Sequence, residues 1–330
     1  MKKFLRVLLI IVAILAMLYL FGPTPEEPSY EKTLPAISAP VEEYVKRIES
    51  AHKIKPGNEA EIVWANDSLK QKTAYAIVYL HGFTASKEEG NPVHKNIAKE
   101  FGCNLYLSRL AEHGLDTTEP LMNLTAEKYW QSAKEALAIG KQLGNKIILM
   151  GTSTGGTNAL QLAAAYPGDI ASVILLSPNI EINDPNAWVA NNHWGLQIAH
   201  LVVKGDYVDS KDQRDVFKKY WYSHYRLEGV SALQEMLETS MTKETFENVK
   251  QPALLLYYYK DAIHQDSVVK VSAMLKMYDE LASVNKRKVA MPNTGDHVLG
   301  SPIKSHDVEG VQREIEKFMK EVLQLKPVQQ

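Results

Sequence analysis

The segment Leu149–Gly156, reading Leu-Met-Gly-Thr-Ser-Thr-Gly-Gly, restricts the fold of this chain more than any other stretch. The apolar run Lys146–Met150 precedes it and the helix-forming run Asn158–Ala165 follows it. Strand, Gly-x-Ser-x-Gly and helix, in that order, describe a sharp turn that lifts a serine hydroxyl to the tip of a sheet edge. Glycine suits positions 151 and 155 because the helix packs back closely on its own strand. Ser153 then stands at the tip. The N–H of Thr154, opening the helix, points where negative charge on an oxygen would be stabilised. An ordinary glycine-rich turn can carry the same five residues, so the segment implies chemistry only if it has partners elsewhere in the chain.

The chain around this turn alternates strand and helix. Glu61–Asn66 and Ala74–Leu80 read as strands, the second rich in β-formers as a buried parallel strand is. His94–Phe101 reads as a helix and Cys103–Leu107 as a strand. Thr125 caps a helix running to about Leu143, with Trp130, Ala133, Leu137 and Leu143 on one stripe and Gly144 closing it. Further strands are expected at Ala171–Leu176, Ala253–Tyr259 and Lys286–Ala290, with a helix near Ser267–Leu281. In the last helix Val308, Val311, Ile315, Phe318 and Val322 recur at helical spacing. Such alternation predicts a mostly parallel sheet covered by helices on both faces. From about Asn179 to Lys250 it stops. Helix-like pieces there carry Trp188, Trp194, Phe217, Trp221, Tyr222, Tyr225 and Met236, as a cap or an extra core layer would.

The first 22 residues depart from the rest. Lys2, Lys3 and Arg6 precede Val7–Phe21, a run without charge. A charged start followed by an apolar run marks a membrane anchor or a removed signal segment. Neither the residues before Gly22 nor any nearby cysteine favours cleavage or lipid attachment, so an uncleaved anchor is the preferred reading. Basic residues before the run and Glu26, Glu27 and Glu31 after it place the bulk of the chain outside the cytoplasm. Residues 23–40, with five prolines, should be an extended linker, and residues 41–330 the folded domain, entered through an amphipathic helix at Val41–His52. The net charge of −2 gives no whole-chain signal for nucleic acid, and the lone Cys103 is expected to be a buried thiol.

A serine in such a turn needs a base and a carboxylate, which in elbow-type sites follow in the order Ser, acid, His. His297, in Met291–Leu299, lies between the last strand and the last helix and is the expected base. Two acids follow the strand Ala253–Tyr259. Asp261, immediately beyond it, is favoured; Asp266 comes next, with helix capping as its ordinary role. The second oxyanion donor should come from His81-Gly-Phe-Thr84, with the Phe83 N–H paired to that of Thr154. No histidine pair has zinc-ligand spacing, and the recurring Asp206, Asp209, Asp212 and Asp215 lack a calcium-loop pattern.

These residues resemble the α/β-hydrolase superfamily, in particular its cap-bearing branch of monoacylglycerol lipases, lysophospholipases and carboxylesterases. The resemblance rests on His81-Gly82-Phe83, Arg109–Gly114, Gly151–Gly155 and Gly295-Asp-His-Val298, and spans about Glu61 to Leu323. It implies an α/β-hydrolase fold, with a helical cap of about residues 180–250 inserted after the sixth strand. The spacing from Pro252 also fits Asp261, although the glycine usual before the acid is missing from Tyr257–Lys260, and Glu112 replaces another usual glycine. The implied activity is hydrolysis of carboxylic esters, with no metal or cofactor expected; the aromatic cap and the N-terminal anchor point to an apolar acyl chain. An aminopeptidase, thioesterase or acyltransferase with the same triad, or a binding protein without turnover, are the rival readings.

Overall fold

The computed structural model describes residues 2–328. Helix α1 (Lys2–Leu20) has no buried residue, and the extended segment 21–40 leads to α2 (Val41–Ser50). There follow β1 (Glu61–Val63), β2 (Thr73–Leu80), α3 (Val93–Glu100), β3 (Asn104–Leu107), α4 (Ala126–Leu143), β4 (Gly144–Thr152), α5 (Thr154–Ala165) and β5 (Ile170–Leu176). The chain then leaves the sheet for α6 (Gly195–Val203), β6 (Tyr207–Asp209), α7 (Asp215–Tyr220), β7 (His224–Arg226), α8 (Leu227–Ser240) and α9 (Lys243–Asn248). It returns through β8 (Ala253–Tyr257), α10 (Val271–Glu280), β9 (Lys286–Ala290) and α11 (Val308–Glu321).

The sheet has seven strands in the order β1-β3-β2-β4-β5-β8-β9, and only β1 is antiparallel. Alternation along each central strand sends side chains to opposite faces. Ala76, Val78 and Leu80 join Leu149, Val173 and Leu255 under α4, α5, α8 and α10, whereas Ile77, Tyr79, Met150, Ile174 and Leu256 meet α3 and α11. Because both faces are covered, the strands are near-continuous apolar runs.

Three expectations need correction. The insertion follows the fifth strand of the chain, because only one strand, β1, comes before β2 in the sequence; it also holds an antiparallel pair, β6 and β7. Gly144 does not end α4 in a left-handed cap. Its φ is −144°, β4 starts on it, and a Cβ there would sit 2.4 Å from the Ala76 nitrogen. The linker is extended but is no free spacer. Tyr30, Leu34 and Ile37 pack on the core, and the carbonyls of Glu31 and Lys32 accept from Trp130 Nε1 and Tyr166 Oη at 2.7 and 2.6 Å. Cys103 is buried, and burial pushes its thiol up to about 12.

Candidate active site

Strand β4 delivers Ser153 at φ 52° and ψ −120°, a left-handed conformation costing a side-chain-bearing residue roughly 1–3 kcal/mol. Backbone bonds on three sides hold it there. The Ser153 N–H donates to Leu176 O at 2.9 Å, while its carbonyl accepts from Gly156 and Asn179 at 2.8 and 2.9 Å. The glycines are dictated by crowding: a Cβ at Gly155 would lie 1.9 Å from Leu80 O, and one at Gly151 2.3 Å from Gly155 O. Helix α5 therefore begins directly behind the serine, with the Thr154 N–H in its first turn.

The loop after β2 crosses Ser153 so closely that a Cβ on Gly82 would come within 3.0 Å of Ser153 Cβ. Two buried imidazoles fix this loop. His81 Nε2 accepts from the Leu110 N–H at 3.0 Å, so its Nδ1 carries the proton donated to Gly82 O at 2.9 Å. His113 Nε2 accepts from the Thr84 N–H at 3.1 Å, and its Nδ1 donates to Ala111 O at 2.7 Å. Burial keeps both rings neutral, bringing His81 down to about 4 and His113 well below the ordinary range. The Gly82 N–H donates to Glu89 Oε2 at 2.6 Å. With Gly82 and Thr84 tied down, the Phe83 and Thr154 amides are left without an acceptor among the described residues.

The acid is where expectation and structure part. Asp261 lies on the surface, where its carboxylate closes a turn with the amides of Ile263 and His264 and pairs with the His264 ring at 2.9 Å. Those bonds hold it down to about 2, and it does not reach His297. Asp266 does: its Oδ2 accepts from His297 Nδ1 at 2.6 Å, and its Oδ1 accepts from the Val268 and Val269 amides at 2.9 and 3.1 Å. After β8 the chain makes a small excursion, with Tyr259 bridged to Gln265 and the Asp266 N–H returned to Tyr258 O at 3.1 Å. In space, therefore, Asp266 is the acid beside the strand end. Helix α10 starts only at Val271, so Asp266 is not its cap.

His297 and Asp266 are both buried. Burial raises the Asp266 carboxyl, but the imidazole and the two amides more than offset it and hold it low. Burial lowers His297, and the Asp266 carboxylate bonded to it outweighs that, so the ring is held above 6.5. His297 Nε2, on the far side of the ring, is buried and without a partner among the described residues; its hydrogen bond to Ser153 Oγ is not formed. Glu89, which no motif indicated, joins the two loops: its carboxyl takes the Gly82 amide, and a Cβ on Gly300 would meet its carbonyl at 3.3 Å. Burial pushes Glu89 up to about 8, which keeps it protonated at neutral pH.

The insertion lies over these loops. Tyr225 meets Phe83 edge to face at 5.4 Å, the Tyr222 N–H donates to Thr84 O at 2.9 Å, and Trp221 packs with Ala85 and Val298. Ser153 is accordingly 6% exposed. A cavity of about 520 Å³ between the insertion and α10 is lined by neither Ser153 nor His297. Glu112 adopts φ 62° where a glycine is usual and turns its carboxylate to Lys128 at 3.5 Å. The four aspartates of the insertion are likewise accounted for in part, Asp212 by an ion pair with Arg214 and Asp209 by a hydrogen bond with His224 Nδ1.

Solved structures with this architecture include a metagenome-derived lipolytic enzyme of the LipS and LipT pair (18% identity, 81% of this chain and 99% of the other, TM-score 0.65). Others are Est1E of Butyrivibrio proteoclasticus with bound ferulic acid (19%, 81% and 95%, TM-score 0.55) and the monoacylglycerol lipase of Paleococcus ferrophilus (15%, 79% and 97%, TM-score 0.56). At such identities the likeness is one of fold: all share the α/β-hydrolase architecture. No curated protein sequence matches the chain. The family model described as serine aminopeptidase, S33 (Hydrolase_4) matches residues 76–299, and the chain belongs to that family of α/β-hydrolases.

Proposed function

We propose that this protein is a membrane-anchored serine hydrolase of carboxylic esters, with Ser153, His297 and Asp266 as its triad. The observation that carries the reading is the buried Asp266–His297 pair, its Nε2 unpartnered, on the sheet edge that presents the strained Ser153. Ser153 Oγ attacks the acyl carbonyl while His297 Nε2 takes its proton, and Asp266 holds the tautomer and stabilises the imidazolium. The Phe83 and Thr154 amides receive the oxyanion, each worth about 10²-fold or more. His297 then protonates the departing alkoxide. Water, deprotonated by the same ring, attacks the acyl-enzyme to release the carboxylic acid and restore Ser153. The reading requires Ser153 Oγ to reach Nε2 in the substrate complex, a contact that often tightens only there.

An apolar acyl chain is the proposed substrate feature, supported by the aromatic insertion above the site and by lipolytic enzymes among the structural relatives. The anchor is α1, 19 residues with mean hydropathy 2.4, none of them buried. At 1.5 Å per residue it is about 28 Å long, close to a bilayer's hydrocarbon thickness. Its basic start puts the domain outside the cytoplasm.

The test is hydrolysis of nitrophenyl esters from acetate to palmitate by the full chain in detergent, beside Ser153→Ala. Turnover with a chain-length optimum, reduced at least ~10³-fold by the substitution, is the expected result. Because the family is described by its serine aminopeptidases, aminoacyl anilides form a second arm. Cleavage of anilides with every ester untouched would replace this reading by a peptidase.

A further inference from the structure

Among the described residues beyond α1 and its exit, thirteen large apolar side chains are exposed, and six of them fall between residues 188 and 203. They are Trp188, Trp194, Ile198, Leu201, Val202 and Val203, with Leu201 and Val202 78% and 74% exposed. Exposed apolar side chains gathered within one short segment mark a docking face rather than the scattered exposure of an ordinary surface. Helix α6 carries no charge except through His200, which pairs with Asp206 at 2.9 Å.

What covers this face follows from where its helix begins. Trp194, the residue before α6, is seated on the end of α1: its Nε1 donates to Leu18 O at 2.9 Å and its backbone N–H to Pro23 O at 3.0 Å. The fit is so close that a Cβ on Gly22 would lie 2.2 Å from the indole ring. The neighbouring His193 binds Gly22 O through Nδ1 at 2.9 Å and meets Tyr19 edge to face at 5.3 Å. Tyr19, Phe21 and Trp194 thus gather at one end of the span, the composition of an aromatic belt at a membrane–water boundary. A nine-residue helix is about 14 Å long, so no part of α6 can lie far from that boundary.

We infer that α6 lies in the lipid interface beside the exit of α1, with the bilayer itself as the partner of the exposed apolar face. The inference rests on α1 spanning a bilayer and does not depend on which bond the site cleaves. The same insertion reaches the catalytic loops through Tyr225, so it touches the membrane at one end and covers Ser153 at the other. An ester entering from the lipid would meet the insertion before it met water.

The test places one cysteine label on the full chain in phosphatidylcholine vesicles, with lipids brominated along the acyl chain as quencher. Cys103 is buried and stays unlabelled under native conditions. Three positions are compared: Val12→Cys in the span, Leu201→Cys on α6, and Val284→Cys in the exposed turn before the edge strand β9. Loss of emission at 12 and 201, with 284 unaffected, supports the inference. Quenching at 12 alone overturns it and leaves the anchor standing; no quenching at 12 overturns both. A label at 201 shielded from aqueous iodide yet untouched by bromolipid would mean that a protein surface covers α6, which also overturns it.

Discussion

At the scale of single residues, the decisive difference lies between two aspartates five positions apart. Asp261 is exposed and serves a turn, whereas Asp266 is buried with its carboxylate against His297. Asp266→Asn is therefore expected to lower kcat/KM on nitrophenyl esters by about 10³–10⁴-fold, since the amide no longer fixes the productive tautomer or stabilises the imidazolium. Asp261→Asn should stay within about twofold, as surface substitutions do. The reverse ranking, with both variants folded by circular dichroism, would hand the role back to Asp261. The pH profile follows from the same contact. His297, the proposed base, works only when neutral, and Asp266 holds it above 6.5, so activity is expected to be lost as the pH falls through that raised value. The acid limb of kcat/KM should have its midpoint above pH 6.5; a midpoint below it would mean that Asp266 does not govern the ring. The places of Ser153 and His297 at the sheet edge were legible because each sits in a short motif whose local turn sets its position. Asp266 was not, because distance along the chain from β8 does not reveal an excursion that folds back on itself. Glu89 was hidden for a related reason: its partner, the Gly82 amide, is a backbone group, and nothing in residue identity marks it.

At the scale of elements, strands were read well wherever burial on both faces made them continuous apolar runs, as in β2 and β4. Their ends were read less well, since Tyr258 and Tyr259 are as good β-formers as Tyr257 yet lie past the last sheet pairing. The α4–β4 junction shows how a correct residue can carry a mistaken reason. Gly144 sits at the end of a helix, where a left-handed glycine is common, but its φ of −144° suits any residue. What excludes a side chain is the Ala76 backbone, 2.4 Å from where a Cβ would stand. Gly144→Ala is thus expected to destabilise by overpacking, on the order of 1–3 kcal/mol, through displacement of β4 from β2. Urea unfolding with unchanged slope and a lowered midpoint would show it. A loss below about 0.5 kcal/mol, the size of an ordinary surface change, would mean that the strands part without strain.

At the scale of the whole molecule, the segment between α1 and the domain is packed against the domain, and this was the feature least legible in the sequence. Its prolines do predict an extended chain, and residues 21–39 form no helix or strand. Docking has no periodic signature, however, because an extended strap bonds through its carbonyls, which every residue type supplies. The clearest tie is Lys134 of α4, whose side chain is 2% exposed although it carries an ammonium. Its Nζ donates to Glu31 O at 2.8 Å and Thr33 O at 3.0 Å, with the Glu31 carboxylate at 3.3 Å. A buried cation is tolerable only when its donors are met in this way. Lys134→Met keeps the apolar stem and removes the donors, leaving the strap carbonyls facing an apolar side chain. The strap should then detach more often while the domain stays folded, because the Tyr30, Leu34 and Ile37 contacts remain. Cleavage after Lys32 by trypsin reads that detachment, since cutting tracks the population of the open form when opening is fast. Loss of about 1–2 kcal/mol of docking energy would raise the rate roughly 5- to 30-fold. An unchanged rate at Lys32 would show that the apolar contacts and the Trp130 and Tyr166 bonds hold the strap unaided. The proposed seating of α6 at the bilayer would then owe nothing to Lys134.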